Sequence, residues 1–351
     1  MVQGRRRSRV IQLGSMQIGG ENPIAVQSMT KTDTRDTAGT VAQIKALEEA
    51  GCEIIRVAVP DFEAAENLSK IKKSIKIPLV ADIHFNYQLA LKALELGVDG
   101  LRINPGNIGP RGKIKLIVQE AKARGVSIRI GVNGGSLERD LLEKYRSPSP
   151  DALVESALRH VSLLEDLDFH QIKISLKASG VRETIESYEK MANLVDYPLH
   201  LGLTEAGPPL PGAVKSSLAL GKLLDDGIGD TIRVSLTGDP ILEVKVAWEI
   251  LGALNIRKRG MDIISCPTCG RCQTDLFSLV ERVENSLASL KKPIKVAIMG
   301  CVVNGPGEAR EADIGLAVGK GEGLIFRHGT VIRKIRENEF YEALMEEITK
   351  E

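Results

Sequence analysis

The sequence predicts an α/β protein: a (β/α)8 TIM-type barrel followed by a small α+β domain. Three observations carry this reading. Short β-rich apolar runs recur eight times along the first two thirds of the 351-residue chain. One amphipathic stretch lies between most of them. Near residue 255 the alternation stops and the character of the sequence changes. Eight strand–helix units in roughly 240 residues read as a closed parallel barrel. A doubly wound open sheet is the alternative.

The expected strands are "IAVQSM" (24–29), "IIRVAV" (54–59), "LVADIH" (79–84), "GLRIN" (100–104), "IRIGVN" (128–133), "IKISLK" (172–177), "LHLGLT" (199–204) and "TIRVSL" (231–236). Helical stretches such as "TAGTVAQIKALEEAG" and "NYQLALKALELG" connect them, and Gly51, Gly97 and Gly125 sit where left-handed helix ends favour glycine. The preceding "RVIQLGSMQIGG" reads as a small hairpin able to close the barrel bottom. The helix "ILEVKVAWEILGAL" leads to the basic "NIRKRG" (255–260), which marks the boundary between an expected barrel, 1–254, and a second domain, 255–351. That domain reads as strands "MDIISC", "IKVAIMGC", "DIGLAVG", "GLIFRHG" and "TVIRKI", with helices at "TDLFSLVERVENSLASL" and "NEFYEALMEEITK".

Composition narrows the function classes. Hydrophobic residues make up 43% and can fill a sizeable core, and no apolar run approaches the roughly 20 residues of a membrane span. "MVQGRRRSRV" has a basic start with no apolar stretch after it, so no secretory leader is expected. Net charge of +1 removes the broad electrostatic case for nucleic-acid binding, and 3% aromatics leave few platforms for bases. Arg5, Arg6, Arg7 and Arg9 read as a solvated, frayed terminus. Five cysteines argue against a disulfide framework and for a reducing cytoplasm.

The polar residues inside the strands are the informative ones. Arg56, Asp82, His84, Arg102, Asn104, Arg129, Asn133, Lys173, Ser175, Lys177, Arg233 and Ser235 lie in or at the ends of these runs, and Glu205 follows the seventh. Side chains at i and i+2 of a strand share a face, so several strands present charge inward or upward. A parallel barrel is ordinarily filled with Val, Ile and Leu, and unpartnered buried charge is costly. Cations on five or six strands, with Asp82 and Glu205 too few to neutralise them, imply an anionic, phosphorylated ligand at the C-terminal mouth. "NPGNIG" (104–109) and "GVNGGS" (131–136) would let backbone N–H groups approach a phosphate.

"SCPTCGRCQTDLF" (265–277) places Cys266, Cys269 and Cys272 within seven positions. A ferredoxin run would need a cysteine where Leu276 stands, and no second C-x2-C pair exists for a zinc ribbon. Cys301 remains, at the end of another expected strand. Two neighbouring strands could deliver Cys266, Cys269 and Cys301 to one place; the other reading of Cys301 is a buried core thiol.

"SCPTCGR" with "MGCVVNGPGEA", behind a barrel bearing "RVAVP", "ADIHF", "LRINPGNIG", "RIGVNGGSL" and "TEAG", resembles the 4-hydroxy-3-methylbut-2-enyl diphosphate synthase family in its compact two-domain bacterial form, over essentially the whole chain. The resemblance implies an isoprenoid-pathway oxidoreductase acting on 2-C-methyl-D-erythritol 2,4-cyclodiphosphate, with one 4Fe–4S cluster. Residue by residue, it implies Cys266, Cys269, Cys301 and Glu308 as cluster ligands, and Cys272 falls outside the family motif. It implies Arg56, Arg102, Arg129, Asn133, Lys177 and Ser235 for substrate binding. Glu205 would donate a proton, with Asp82 and His84 in support. Ferredoxin or flavodoxin would supply electrons, and a homodimer would bring one subunit's cluster domain over the other's barrel. A rival reading is a pterin-type, phosphate-binding barrel synthase with a structural metal in its tail. A non-enzymatic electron carrier is a second, but it leaves the charged barrel mouth without a purpose.

Overall fold

The chain enters through an antiparallel hairpin, β1 (Ile11–Leu13) and β2 (Met16–Ile18), with Ile11 opposite Ile18. The computed structural model describes residues 4–272, 274–287, 290–301, 307 and 312–350. They divide into two units, Met1–Arg257 and Lys258–Glu351.

In the first unit eight strands run parallel round one sheet. They are β3 (Ala25–Met29), β4 (Ile54–Ala58), β5 (Leu79–Asp82), β6 (Gly100–Ile103), β7 (Ser127–Asn133), β8 (Ile172–Lys177), β9 (His200–Leu201) and β10 (Thr231–Ile232). The order is β8-β7-β6-β5-β4-β3-β10-β9, and a parallel bridge from Ile174 to Leu199 joins the two ends. Asp36 and Asp61 accept from the backbone N–H groups of Gly39 and Ala64, starting the first two helices, each worth about 1 kcal/mol. Gly51 and Gly125 close helices with φ of 105° and 65°. A broad apolar layer, including Ile44, Leu68, Leu94 and Ile117, lies between helices and strands. A separate small core joins the hairpin's Ile11, Leu13 and Ile18 to Ala25, Ile54 and Val80, so the hairpin plugs the barrel bottom.

Three expectations change. The seventh and eighth strands are paired regularly over only two residues each. Beyond Leu201 stands Gly202, where a Cβ would lie 2.7 Å from Lys177 Nζ and 2.5 Å from the Arg233 carbonyl. A side chain there would collide with the Lys177 ammonium and the Arg233 carbonyl. The N-terminal arginines are not frayed. Arg6 donates to the carbonyls of Ala192 (3.0 Å), Tyr197 (3.1 Å) and Val195 at the end of the helix Val181–Leu194, whose last carbonyls attract a cation. Arg5 pairs with buried Asp230 at 3.1 Å, and Arg9 lies over the Tyr197 ring. The first unit also runs on to Arg257, which donates to Glu53 and to the Ile24 carbonyl.

The second unit is a five-stranded sheet in sequence order: β11 (Met261–Ser265), β12 (Ile294–Met299), β13 (Ile314–Val318), β14 (Glu322–Arg327) and β15 (Thr330–Arg336). The first three are parallel and the last two antiparallel to their neighbours. Ile294, Val296 and Ile298 alternate onto the face shared with the helices Leu276–Leu287 and Phe340–Thr349. Ala297 and Met299 face a smaller core with Ala317 and Phe326. Among the described residues no helix is long and apolar enough to cross a membrane.

Candidate active site

Strand register builds the barrel site. Asp82 on β5 pairs with Arg102 on β6, Arg102 with Arg129 on β7, and Arg129 with Lys173 on β8, so four charged residues follow one another along the hydrogen-bonding direction of four adjacent strands. Arg56, Asp82, Arg102, Arg129, Lys173 and Lys177 are all buried. Asp82 is the hub: its carboxylate lies 3.1 Å from Arg102 Nη1, 3.6 Å from Arg56 Nε and 3.5 Å from His84 Nε2. Arg102 also donates to the Gly131 carbonyl at 3.2 Å, and the Asn133 amide oxygen can accept from it at 3.2 Å. A Cβ on Gly131 would stand 2.4 Å from Arg102 Nε, so the glycine is what admits this guanidinium.

The cations outnumber their partners. Among the described residues, six of them (Arg56, Arg102, Arg129, Lys173, Lys177 and the largely buried Arg233) have between them Asp82 and Glu243 as ion-pair partners, with Asp230 adding a weaker pull on Lys173. Among the described residues, Arg129 Nε and Nη1, Lys173 Nζ, Lys177 Nζ and Arg233 Nε are buried without a hydrogen-bond partner. Their acid–base behaviour follows. Burial, then the like charges of Arg56 and Arg102, push Arg129 well down, and burial followed by Arg233 and Arg129 does the same to Lys177. Burial brings Arg56 to about 9 against the pull of Asp82, and Lys173 to about 7. Burial resists ionisation of Asp82, but Arg56, His84 and Arg102 outweigh it and hold the carboxyl far below its usual range. Such a surplus of buried positive charge is suited to a multiply charged anion.

The remaining sequence-named residues lie around this ring. His84 is exposed beside Asp82, and Ser235 is half-buried two residues beyond Arg233. Glu205 is not an inward acid: it is exposed in the loop after β9, in a left-handed backbone conformation with φ of 53°. The second buried carboxylate is instead Glu243, on the helix Pro240–Ala253. It accepts from Leu236 N and lies 3.0 Å from Lys31 and 3.9 Å from Arg233. His200, also unnamed by the sequence reading, is fully buried, with Nδ1 2.8 Å from the Thr231 hydroxyl and Nε2 unpartnered. Strand alternation in "LHLGLT" carried a signal for His200; nothing in the helical pattern carried one for Glu243.

In the second unit, Ser265 pairs with Ile298 across β11 and β12, so Cys266 and Cys301 leave the ends of two adjacent parallel strands. Cys266 N donates to Ile298 O at 3.4 Å, and Gly300 N lies 3.3 Å from Cys266 Sγ. A Cβ on Gly300 would lie 3.0 Å from Cys266 Sγ and 2.7 Å from Cys272 Sγ; its absence leaves a cradle between two thiols. Backbone and side-chain hydrogen bonds from Arg271 lower the exposed Cys269 thiol, and Arg271 also feels the charge of Cys301. None of the five cysteines is in a disulfide. Cys52 stands apart in the barrel core, where burial pushes its thiol up to about 12. Among the described residues no three His, Cys, Asp or Glu side chains are gathered to hold one metal ion. Glu308 and the neighbouring Glu311 lie outside the described residues. Strand-end thiols, a thiol lowered by a cation and the small-residue cradle are donor chemistry that fits a thiolate-bound cluster.

Fold and sites together define a (β/α)8 barrel lined by buried cations, followed by a thiol-bearing unit with a five-stranded sheet. Residues 8–248 match the family model described as the GcpE TIM-barrel domain, and residues 262–350 match the GcpE protein C-terminal domain. The chain belongs to the GcpE family. Curated relatives named 4-hydroxy-3-methylbut-2-en-1-yl diphosphate synthase (flavodoxin) include that of Thermodesulfovibrio yellowstonii, 58% identical over 346 residues and 99% of both chains. That of Clostridium tetani is 60% identical over 344 residues, 98% of this chain and 99% of its own. Among solved structures, dihydropteroate synthase from Stenotrophomonas maltophilia superposes with a TM-score of 0.52 at 14% identity, covering 71% of this chain and 98% of its own. The Yersinia pestis enzyme gives 0.50 at 10%, covering 70% and 98%. That likeness to pterin-type synthases is one of fold alone.

Proposed function

We infer that this chain produces 4-hydroxy-3-methylbut-2-enyl diphosphate in the non-mevalonate isoprenoid pathway, by reductive ring opening of 2-C-methyl-D-erythritol 2,4-cyclodiphosphate. The cyclic diphosphate takes up two electrons and two protons; a ring C–O bond to phosphate breaks, and one hydroxyl leaves as water. The observation that carries this reading is the surplus of buried cations in the barrel mouth, which suits a compact diphosphate.

Arg56, Arg102, Arg129, Asn133, Lys177 and Ser235 bind the substrate in this proposal, with Arg233 completing the ring. Asp82 holds Arg56 and Arg102 in place and orients His84. Glu205 donates a proton to the departing oxygen; its left-handed backbone is of the kind found where a loop holds a side chain for function. Cys266, Cys269, Cys301 and Glu308 hold one 4Fe–4S cluster. When bound, it supplies single electrons and, at the iron with the more easily displaced carboxylate, a Lewis acid. Flavodoxin, which appears in the relatives' names, or ferredoxin delivers the electrons. We place the enzyme in the reducing cytoplasm, as a homodimer in which one subunit's cluster domain serves the other's barrel.

The test is anaerobic purification with iron and sulfide counted, then turnover of the cyclodiphosphate with a chemical reductant. Near four irons and four sulfides per chain, with allylic diphosphate formed, is expected. Zinc in place of iron, or no product from a fully loaded protein, overturns the reading.

A further inference from the structure

The barrel strands carry further buried polar side chains that the proposed substrate contacts do not use. Lys173, Gln27 and His200 are buried, and Lys173 Nζ, both Gln27 amide atoms and His200 Nε2 lack hydrogen-bond partners among the described residues. The apolar plug under the hairpin begins beyond them, with Ala25 and Ile54. Lys173 lies on β8 four residues before Lys177. The groups that act on it are Arg129 from β7, Arg56 from β4 and Asp230 before β10, and its charge is felt by His200 from β9; Lys177 is the other lysine of its own strand. The one carboxylate of this set is already held by Arg5 at 3.1 Å, the Ser8 hydroxyl at 2.7 Å and Leu199 N at 2.9 Å.

We propose that Lys173 is a proton-loading residue: an uncharged amine in the ligand-free barrel that takes up a proton when the diphosphate occupies the mouth. An ammonium with no carboxylate of its own, beside two guanidiniums, is unfavourable until an anion enters the same low-dielectric space. The diphosphate need not touch Lys173, because its charge acts across the strand from Lys177. Burial, then the like charge of Arg129, brings the lysine down to about 7, so the amine is largely uncharged above neutral pH. This makes Lys173 a positioning residue for charge rather than a substrate contact. The inference rests on the diphosphate reading of the mouth.

The cyclic diphosphate carries only strongly acidic phosphate protons, so proton uptake on binding must come from the protein. The experiment is calorimetric titration of the holoenzyme with 2-C-methyl-D-erythritol 2,4-cyclodiphosphate, anaerobic and without reductant, in buffers of different ionisation enthalpy. At about pH 8 the wild-type protein should take up close to one proton more than Lys173→Met or Lys173→Arg, and the difference should vanish near pH 6, where the lysine is already charged. Lys173→Arg should bind with a pH dependence in this window shallower than that of the wild type by the one proton Lys173 supplies, separating charge from shape. Equal proton counts in wild type and both variants overturn the proposal and return the uptake to Lys177, His84 or His200. No binding by the wild type at all would count against the diphosphate reading itself.

Discussion

In the barrel, Asp82, Arg102, Arg129 and Lys173 are successive register partners within four paired strands; in the second unit, Cys266 and Cys301 leave the ends of two. Both arrangements gather like groups that gain nothing from each other, the cations beyond those Asp82 pairs in one case and the thiols in the other. The barrel holds them by continuous parallel pairing on either side, and the glycines at 131 and 202 leave room for long cationic side chains. The second unit holds its thiols by a short turn, one strand end and the gap at Gly300, with Cys269 wholly at the surface. A rigid wall can keep unfavourable charge in place until a ligand neutralises it. A strand-end cluster depends far more on the group it binds. The two regions should therefore respond differently to the loss of one side chain.

The largest effect should come from the thiols. Cys301→Ser should lose most of the iron, with turnover down at least about 100-fold, the upper range even for residues that only support a metal ligand. Cys272→Ser should keep nearly all of it. Iron and sulfide analysis with the visible spectrum decides between them. If Cys301→Ser stays loaded while Cys272→Ser does not, the seven-residue run supplies all three thiols and the comparison must be redrawn. Gly300→Ala sharpens the point: its methyl presses on Cys266 and Cys272 at once, and iron content should fall although no ligand is removed.

A smaller effect should come from the wall. Arg129→Met or Arg102→Met removes a charge-assisted phosphate contact, on the order of 1.5–3 kcal/mol, so substrate affinity should fall about tenfold or more. The cluster spectrum should not change. Ordinary affinity in both variants would break the anion reading of the mouth.

The difference between the regions also explains what the sequence could reveal. A strand has a side-chain period of two, so the alternation in "IRIGVN" and "IKISLK" is enough to point an arginine and two lysines inward. The shortness of β9 and β10 was hidden, because the β-rich runs "LHLGLT" and "TIRVSL" continue past the residues that pair regularly. Glu243 was hidden because its helix buries a carboxylate to meet partners more than a hundred residues away as well as near ones, Lys31 among them. Arg6 looked like frayed terminus because the carbonyls that hold it, at 192, 195 and 197, are remote in sequence. In the second unit the spacing of cysteines revealed chemistry. It could not show that Cys272, outside the family motif, shares a cradle with Cys266.

The smallest expected effect reverses the sign of the others. Lys177 is buried with an unpartnered Nζ, and burial followed by Arg233, Arg129, Arg56 and Arg102 keeps its pKa well below the ordinary lysine value. In the unfolded chain the same amine titrates at about 10.4. Between those two values the unfolded state holds a proton that the folded state has released, so this residue makes stability rise with pH across the window. Methionine fills a similar volume and carries no proton. Lys177→Met should therefore stabilise the ligand-free barrel by roughly 1 kcal/mol, or about 2–4 °C in Tm for a unit of this size. The gain should be greatest at the acid side of the window and fade as pH approaches about 10. The same variant should bind the cyclodiphosphate more weakly. Thermal unfolding across pH, with and without substrate, tests both halves. A variant less stable than wild type at every pH would mean that Lys177 has partners in the empty barrel, and that the surplus of positive charge is not held there against its own repulsion.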